Sequence, residues 1–420
     1  MKRFFLLIIL ILFCFCSCGS VVSDDNESLP LIDSDSNQNS DRIVNADDSF
    51  IIGAWLSYME LMPSGGCSSE KKYEQYISGI LDNLKQVGVT DLFVQVRPFA
   101  DSIYPSKLFP TCDYVVKNRG DKLPFDFLGL IVRIAREQSV RVHAWINPYR
   151  VQREFDESKL CKTETAKKWL DENSHNIIKA AGGLYFNPAS ARVQKTVIDG
   201  VREILENYDI AGVHIDDYFY PTSDESFDKT DYEAYKKSGG KLSLADWRRE
   251  NVNNLMSGIY SAVKSFSDKK VFSISPSGDI DKDRDEMFAD VELWCGQSGY
   301  CDIMIPQIYY GFDNEAMPFE QCALRWKSIT GEKVKLVVGL AMYKTGKEDK
   351  FAGENGKSEW QKNDDVIKRQ AEFLLENEFD GFSIYSAKFV NFHENIVQKQ
   401  SQNLKIWYNK SVNKKNASGE

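Results

Sequence analysis

Eight short runs of β-branched and aliphatic residues alternate with longer segments of helical periodicity from Phe50 onward. This alternation is the pattern of βα units, which build a parallel sheet. Eight units over roughly 360 residues predict an α/β fold of the (β/α)8 TIM-barrel type, which usually takes about 250 residues and can exceed 400 with insertions. A doubly wound open sheet is the alternative.

The predicted elements follow from where the apolar period changes from two to about 3.6 residues. The strands are 51–56, 91–96, 141–146, 212–215, 271–274, 302–305, 335–340 and 381–384. The helices are 70–87, 125–138, 189–207, 243–266, a weak one near 283–293, 318–330, 363–378 and 394–408. Ser243 and Asn363 are predicted N-caps, because their side-chain oxygens can accept a hydrogen bond from a free backbone N–H.

The length beyond a minimal barrel is concentrated after the second, third and fourth strands, at 97–124, 147–188 and 216–242. A barrel builds its site from the loops that follow its strands. We therefore expect the functional residues in these loops and at the strand ends that lead into them.

The amino-terminal residues predict export. Lys2 and Arg3 precede an apolar run from Phe4 to Phe15, which is too short to cross a bilayer as a mature helix and is typical of a signal peptide over residues 1–17. The sequence around Cys18 resembles a loose bacterial lipoprotein box, with Cys18 as the lipid-bearing residue. We expect an exported lipoprotein that a lipid anchor holds to a membrane of the cell envelope.

Three further segments complete the predicted domain organisation. Residues 18–49, rich in Ser, Asp and Asn, cannot bury enough apolar surface to fold and are predicted to be a flexible tether. Residues 50–408 form the predicted catalytic domain, and 409–420 a disordered tail. Six cysteines remain beyond the signal peptide and Cys18, and either disulfides or free buried thiols fit an even number: Cys67, Cys112, Cys161, Cys295, Cys301 and Cys322.

The charge balance argues against nucleic acid as a partner. The chain has 52 Lys and Arg against 62 Asp and Glu, a formal net charge of −10. It has no basic block of the kind that binds a phosphate backbone. There is also no Walker loop, no G-x-S-x-G elbow and no G-x-G-x-x-G after a strand. A neutral polysaccharide substrate without a cofactor fits these observations better.

One face of the predicted strands is unusually polar. Side chains alternate between the two faces of a strand, so aliphatic residues on one face place their neighbours on the other. A structural barrel core is filled with aliphatic residues, because an unpaired buried polar group costs about 1–3 kcal/mol. We expect the polar face to point inward: Phe93, Gln95, Arg97, His143, Trp145, Asn147, His214, Asp216, Ser273, Ser275, Gln307, Tyr309, Ser383 and Tyr385.

The strongest single signal is the segment 211–221, AGVHIDDYFYP, in which Asp216 and Asp217 leave the fourth strand beside aromatic residues. Two carboxylates cut a glycosidic bond: one stabilises the oxocarbenium-like centre and the other protonates the leaving oxygen. Loop capping, or an ion pair with Arg97 or Arg150, is the structural alternative. We expect Asp216 to stabilise the positive charge that develops on the sugar, and we expect His214 to hold the Asp216 side chain in place.

The identity of the general acid stays open among Asp217, Asp101 and Glu60, and Asp279 after the fifth strand is a weaker candidate. A metal site of His143, His214 and Asp216 is a weak alternative, because no HxH or HExxH spacing supports it. Aromatic residues concentrated at strand ends suggest a sugar-binding cleft: Trp55, Trp145, Tyr149, Tyr218, Tyr220, Tyr309, Tyr310 and Tyr343.

Several multi-residue motifs resemble one known family. They are GAW at 53–55, VRP at 96–98 with DSIYPS at 101–106, HAWINPYR at 143–150, YFNP at 185–188 and GVHIDDYFYP at 212–221. In this order and spacing they are similar to the glycosyl-hydrolase-like family 10. The resemblance implies a (β/α)8 barrel that acts on polysaccharide, and some members resemble envelope glycosidases that cut peptidoglycan strands already stripped of stem peptides.

The sequence therefore predicts an exported glycoside hydrolase of a cell-envelope polysaccharide, with a non-catalytic glycan-binding lipoprotein as the alternative. Arg97, Asn147, Gln307 and Tyr309 are expected to bind sugar hydroxyls and acetamides, and Trp145 and Tyr218 to stack on sugar rings. Gln95, His143 and Tyr149 complete the predicted binding residues. A metal-assisted hydrolase at the same barrel mouth is a third, weaker hypothesis.

Overall fold

The computed structural model describes residues 50–392 and 395–412. The predicted signal peptide, Cys18 and the tether up to residue 49 lie outside the described residues, as do residues 413–420 of the predicted tail. Within the described part, no helix is both long enough and apolar enough to cross a bilayer.

Eight parallel strands close into a barrel, as predicted. They are β1 (Ile51–Leu56), β2 (Asp91–Arg97), β3 (Arg141–Ile146), β4 (Gly212–Ile215), β5 (Val271–Ile274), β6 (Ile303–Met304), β7 (Lys335–Leu340) and β8 (Gly381–Ile384). Each strand pairs with its neighbours in chain order, and β8 pairs with β1, so the sheet has no free edge. The open-sheet alternative is wrong.

Helices follow the strands and cover the outside of the barrel. The helices longer than ten residues are Glu70–Gln86, Phe127–Glu137, Ala191–Asn207, Leu244–Phe266, Phe319–Ile329, Val366–Glu376 and Asn395–Ser411. Four of them begin at a residue whose side chain accepts a backbone N–H: Ser69, Asp126, Ser190 and Ser243. The predicted cap at Ser243 is confirmed, whereas that at Asn363 is wrong, because its helix begins three residues later, after Asp365.

Two separate layers of side chains follow from the strand alternation. Leu92, Val94 and Val96 of β2 belong to the large core between sheet and helices, while Phe93 belongs to a smaller cluster inside the barrel. The interior is crowded: a Cβ at Gly53 would lie 2.8 Å from both the Phe93 ring and Ser383 Oγ. Glycine at this position lets β1 approach its neighbours, and the two-residue alternation predicted both layers.

The loops after β2, β3 and β4 are long, as expected. The loop after β3 carries a three-stranded antiparallel sheet of Arg150–Gln152, Ile177–Ala180 and Gly183–Phe186, with the last strand in the middle. It also carries the helix Thr165–Asp171, and the loop after β4 carries the helix Lys229–Lys237. A fourth long loop, residues 341–365 after β7, was not expected, and it contains the short helices Gly353–Gly356 and Glu359–Lys362.

Three further details differ from or refine the predictions. The weak helix expected near 283–293 is two short helices, Ile280–Asp285 and Val291–Gly296. The final helix continues to Ser411, three residues beyond the predicted end of the domain. The six cysteines are free thiols in the structure, which favours the second of the two alternatives.

Candidate active site

Asp216 and Asp217 follow directly after β4 at the carboxyl-terminal end of the barrel. Asp216 is 3 % exposed, and Asp217 is more accessible. Asn147 Nδ2 donates to Asp216 Oδ1 at 3.2 Å, while Asp216 Oδ2 has no hydrogen-bond partner among the described residues. A buried carboxylate oxygen without a partner is costly unless it carries a proton or meets a ligand.

Burial and, to a smaller extent, the neighbouring charge of Asp217 raise the pKa of Asp216 to about 7, against the opposing charge of Arg150. Burial also raises the pKa of Asp217, against a hydrogen bond from Gln307. Two adjacent carboxyl groups of this kind cannot both ionise easily, so the pair titrates as a unit. The pair therefore releases its last proton at a higher pH than an isolated aspartate does.

A cavity of about 380 Å³ opens beside this pair. Asp217 lines it together with Gln307, Tyr309, Tyr310 and Tyr343. Gln307 is itself fixed, because its Nε2 donates to the backbone oxygen of Ser275 at 3.1 Å. The predicted binding residues Gln307 and Tyr309 therefore lie beside Asp217, in a cavity lined by aromatic rings.

The unexpected loop after β7 supplies the other wall of this cavity, through Tyr343, Lys344, Asp349 and Phe351. Lys344 Nζ pairs with Asp349 at 2.6 Å, which fixes the loop. Tyr385, just after β8, packs against Tyr309 and Tyr343 with ring centroids 5.7 and 5.8 Å away. Only Tyr343 among the residues of this loop was singled out from the sequence, because the rest follow no strand directly.

Asn147 acts as the link between the β3 loop and Asp216. Its Oδ1 accepts the backbone N–H groups of Tyr149 and Arg150 at 3.3 and 2.8 Å, which leaves Nδ2 directed at Asp216. Trp145 lies two residues before Asn147, on the same face of the strand. It also lies next to the Asp216 carboxyl group and lowers the pKa of that group. Both predicted residues are therefore brought to the carboxylate pair.

Arg150 is a site residue that the sequence reasoning treated only as a possible ion-pair partner. Its guanidinium carbon lies 4.0 Å from the ring centroid of Tyr218 and 4.5 Å from that of Phe99. The Tyr218 ring remains 45 % exposed on its other side. A half-exposed tyrosine backed by a buried arginine offers a stacking surface for a sugar ring beside Asp217.

His214 does not hold Asp216, which corrects the sequence prediction. Trp55 Nε1 donates to His214 Nε2 at 2.9 Å, and His214 Nδ1 lies 2.8 Å from Ser273 Oγ. Since an indole N–H can only donate, Nε2 is the acceptor and the proton lies on Nδ1, directed at Ser273. Burial holds the pKa of His214 well below its usual range, so this neutral ring is part of the barrel interior.

His143 and Gln95 also make structural contacts within the barrel rather than contacts at the carboxylate pair. His143 Nε2 lies 2.8 Å from Asp91 Oδ1 at the start of β2. Burial would raise the pKa of Asp91, but hydrogen bonds and charge from His143 and Arg141 outweigh burial and hold it at about 2. Gln95 Oε1 accepts the backbone N–H of Tyr58 at 3.1 Å. His143 and Asp91 lie at the amino-terminal end of the barrel, away from Asp216 and Asp217. Gln95 holds the loop after β1 in place.

Arg97 does not point into the barrel mouth, because the register of β2 against β3 shifts between Gln95 and Arg97. The irregularity turns Arg97 outward, where its guanidinium carbon lies 4.3 Å from the ring centroid of Phe109. It also packs against the helix Ala191–Asn207, where a Cβ at Gly200 would meet Arg97 at 2.1 Å. A strict alternation cannot predict such a shift.

The remaining candidate acids are engaged in structural contacts. Asp101 pairs with Arg119 at 3.0 Å and accepts the Phe99 N–H at 3.0 Å. Glu60 is buried and hydrogen-bonded to the Ser386 hydroxyl. Asp279 caps the helix Ile280–Asp285 by accepting two backbone N–H groups. Of the four candidate acids, only Asp217 lines the cavity beside β4.

The predicted aromatic residues divide into two groups. Tyr309, Tyr310 and Tyr343 line the cavity, and the exposed Tyr218 follows Asp217 directly in the chain. Tyr149 and Tyr220 are buried, and Tyr220 accepts a hydrogen bond from Asn251 at 3.2 Å. Trp55 belongs to the cluster inside the barrel. The first group forms the candidate cleft, and the second group packs the barrel interior and the loops that support the cleft.

The residues proposed for the metal-assisted alternative do not converge. Both ring nitrogens of His214 are occupied by Trp55 and Ser273, and His143 bonds Asp91. Within the described residues, Asp101, Cys112 and Asp113 bring three possible ligand atoms within 4.8 Å of one another. Asp101 is already paired with Arg119 there. These donor sets give little support to a metal at the barrel mouth.

Sequence comparison identifies the family. The model of the glycosyl hydrolase-like 10 family matches residues 54–355. Glycosyl hydrolase YngK of Bacillus subtilis is 31 % identical over 300 residues, which span 66 % of this chain and 57 % of that protein. Glycosyl hydrolase DigH of Escherichia coli K12 is 29 % identical over 323 residues, which span 71 % of this chain and 72 % of that protein.

Solved structures agree in fold. The glycoside hydrolase domain of PgaB (BpsB) from Bordetella bronchiseptica superposes with a TM-score of 0.54 at 10 % identity, covering 83 % of this chain and 97 % of that one. A β-galactosidase from Marinomonas ef1 gives a TM-score of 0.56 at 11 % identity, covering 88 % of this chain and 60 % of that one. At these identities the likeness establishes the barrel fold alone.

Proposed function

Because this chain belongs to glycosyl hydrolase-like family 10, we propose that it hydrolyses glycosidic bonds in a cell-envelope polysaccharide. The predicted glycoside hydrolase class is confirmed at the level of the family. The observation that carries the proposal is the carboxylate pair Asp216 and Asp217 at the end of β4, one buried with a raised pKa and the other lining a cleft of tyrosines.

We assign different tasks to the two carboxyl groups. Asp217 faces the cavity and protonates the leaving glycosidic oxygen. Asp216, ionised when Asp217 holds the shared proton, stabilises the positive charge that develops at the sugar, directly or by orienting an N-acetyl group of the substrate. Asn147 holds Asp216 in place through its hydrogen bond of 3.2 Å.

The substrate we propose is the peptidoglycan glycan strand from which the stem peptides have been removed. Support comes from the family resemblance of the motifs at 143–150 and 212–221, and from the predicted signal peptide and lipid attachment at Cys18, which would deliver the enzyme to the envelope. The tyrosine-lined cleft beside Asp217 also suits the faces of sugar rings.

The test incubates the purified chain with intact and peptide-stripped peptidoglycan strands and identifies the products by mass spectrometry. We expect fragments from stripped strands, with a rate at least about 1000-fold lower in Asp217→Asn, because general acid catalysis is lost. Asp279→Asn is the matched control, since asparagine caps a helix nearly as well as aspartate and the rate stays near wild type.

Two results would contradict this function. Absence of fragments with retained strand binding would identify a non-catalytic glycan-binding protein. Equal cleavage by wild type and Asp217→Asn would show that another group is the acid.

A further inference from the structure

Arg153 is an unpaired cation at the mouth of the barrel. It follows the strand Arg150–Gln152 and is exposed, and its Nη1 donates to the Tyr58 hydroxyl at 3.4 Å. This is its one hydrogen bond or ion pair among the described residues, and no carboxylate there neutralises it. Four of its five N–H donors are therefore available to a ligand.

Aromatic rings surround this guanidinium. Tyr58 packs against Tyr114 and Phe99, with ring centroids 4.5 and 5.2 Å away. Tyr114 is 44 % exposed. The charge of Arg153 also interacts with Tyr218, which follows Asp217 directly in the chain. Arg153 thus lies close enough to two exposed tyrosines, Tyr114 and Tyr218, for its charge to interact with both, on the side of the mouth formed by the loops after β1, β2 and β3.

This surface combines stacking rings with a donor fork, which is what an acidic sugar requires. Arginine binds a carboxylate through two parallel, charge-assisted N–H···O bonds. A neutral hydroxyl group accepts a hydrogen bond from arginine but gains no ionic attraction. The carboxylates already in the mouth, Asp216 and Asp217, repel an anionic substrate. The positive charge of Arg153 offsets that repulsion for one sugar of the bound glycan strand.

We infer that Arg153 binds a carboxylate of the substrate and selects for glycans that carry one. This inference rests on the proposed function, because stem-peptide removal changes the charge of the strand: hydrolysis converts the amide on each lactyl group into a free carboxylate. A strand that still bears its peptides has no carboxylate at that atom, and its bulk is also larger. Arg153 would thereby distinguish stripped strands from peptide-bearing ones by charge.

The experiment compares two forms of one substrate with the full chain. Stripped strands are used with their lactyl carboxylates free, or with the same carboxylates capped as methylamides by carbodiimide coupling. In the wild type we expect capping to lower kcat/KM about five- to tenfold, mainly through KM, as one charge-assisted contact at an exposed site is lost. Arg153→Gln should cut both forms at the lower rate, and Arg153→Lys should restore part of the preference.

Lys85→Gln is the matched control, because Lys85 is an exposed cation in the last turn of the helix Glu70–Gln86, on the outside of the barrel. It should keep the wild-type preference. Equal cleavage of the two forms by the wild type, or a preference that survives in Arg153→Gln, would overturn the inference and leave the proposed function intact. If neither form is cut, the proposed function fails, and equilibrium binding of the two strands to wild type and Arg153→Gln then decides the inference.

Discussion

Two groups of carboxylates lie on the loop side of this barrel, and they differ in the positive charge that neutralises them. Asp101 and Glu164 share one arginine, Arg119, at 3.0 and 2.7 Å. Asp216 and Asp217 are neighbours in the chain and affect each other's charge, and the nearby Arg150 packs against the rings of Phe99 and Tyr218. Burial destabilises the charged form in both groups, but among the described residues only Asp101 and Glu164 have a direct ion pair that offsets this cost.

This difference in ion pairing distinguishes a structural group, Asp101 and Glu164, from the candidate catalytic pair, Asp216 and Asp217. Burial raises the pKa of Asp101 and of Glu164, and the charge of Arg119 opposes that rise in both. Their charges tie the loop after β2 to the loop after β3. At Asp216 no direct ion pair offsets burial, and its pKa is about 7, so a proton is available near neutrality to the pair that it forms with Asp217.

The largest effect on stability should come from the paired group. Asp101→Asn removes one of two anions from the buried Arg119 and should lower the free energy of unfolding by about 2–4 kcal/mol. Activity per folded molecule should remain near wild type, because Asp101 does not line the cavity. Denaturant unfolding at pH 7 measures the first quantity, with the exposed neighbour Asp113→Asn as the control. A stable but inactive Asp101→Asn would place Asp101 in the catalytic machinery.

The unpaired group should behave in the opposite way. The folded chain binds the Asp216 proton more tightly than the unfolded chain, so this binding stabilises the fold at low pH and is lost as the pH rises through about 7. Asp216→Asn removes the buried charge and should raise the free energy of unfolding at pH 8 by about 1–3 kcal/mol relative to wild type. The gain should be smaller at pH 5, and the variant should lose activity. An equal effect at both pH values would show that Asp216 titrates normally.

Much of the fold follows from patterns that are local in the chain. The eight strands are set by their apolar runs, and their alternation placed Phe93, Trp145, Asp216 and Tyr309 on the inner face. These features depend only on residues within a few positions of one another, which is why the sequence predicts them. The pair Asp216 and Asp217 was found for the same reason.

The errors at the site have long-range causes. Arg97 turns outward because β2 is irregular where it meets β3, and His214 is held by Trp55, 159 residues earlier. Asp101 finds Arg119 across a loop. Arg153 follows no barrel strand but comes directly after a strand of a small sheet, which forms only when residues 150–152 meet 183–186. Partners of this kind are set by tertiary packing, which a single sequence does not reveal.

The most direct test of the central claim is the pH dependence of kcat/KM on stripped glycan strands. In the proposed mechanism Asp216 and Asp217 share one proton near neutrality, and the reaction takes this proton from Asp217. With the pKa of Asp216 at about 7, kcat/KM should fall above this pH, by about tenfold per pH unit once the pair has lost its proton. A rate that stays constant from pH 6 to about pH 9 would contradict the shared proton.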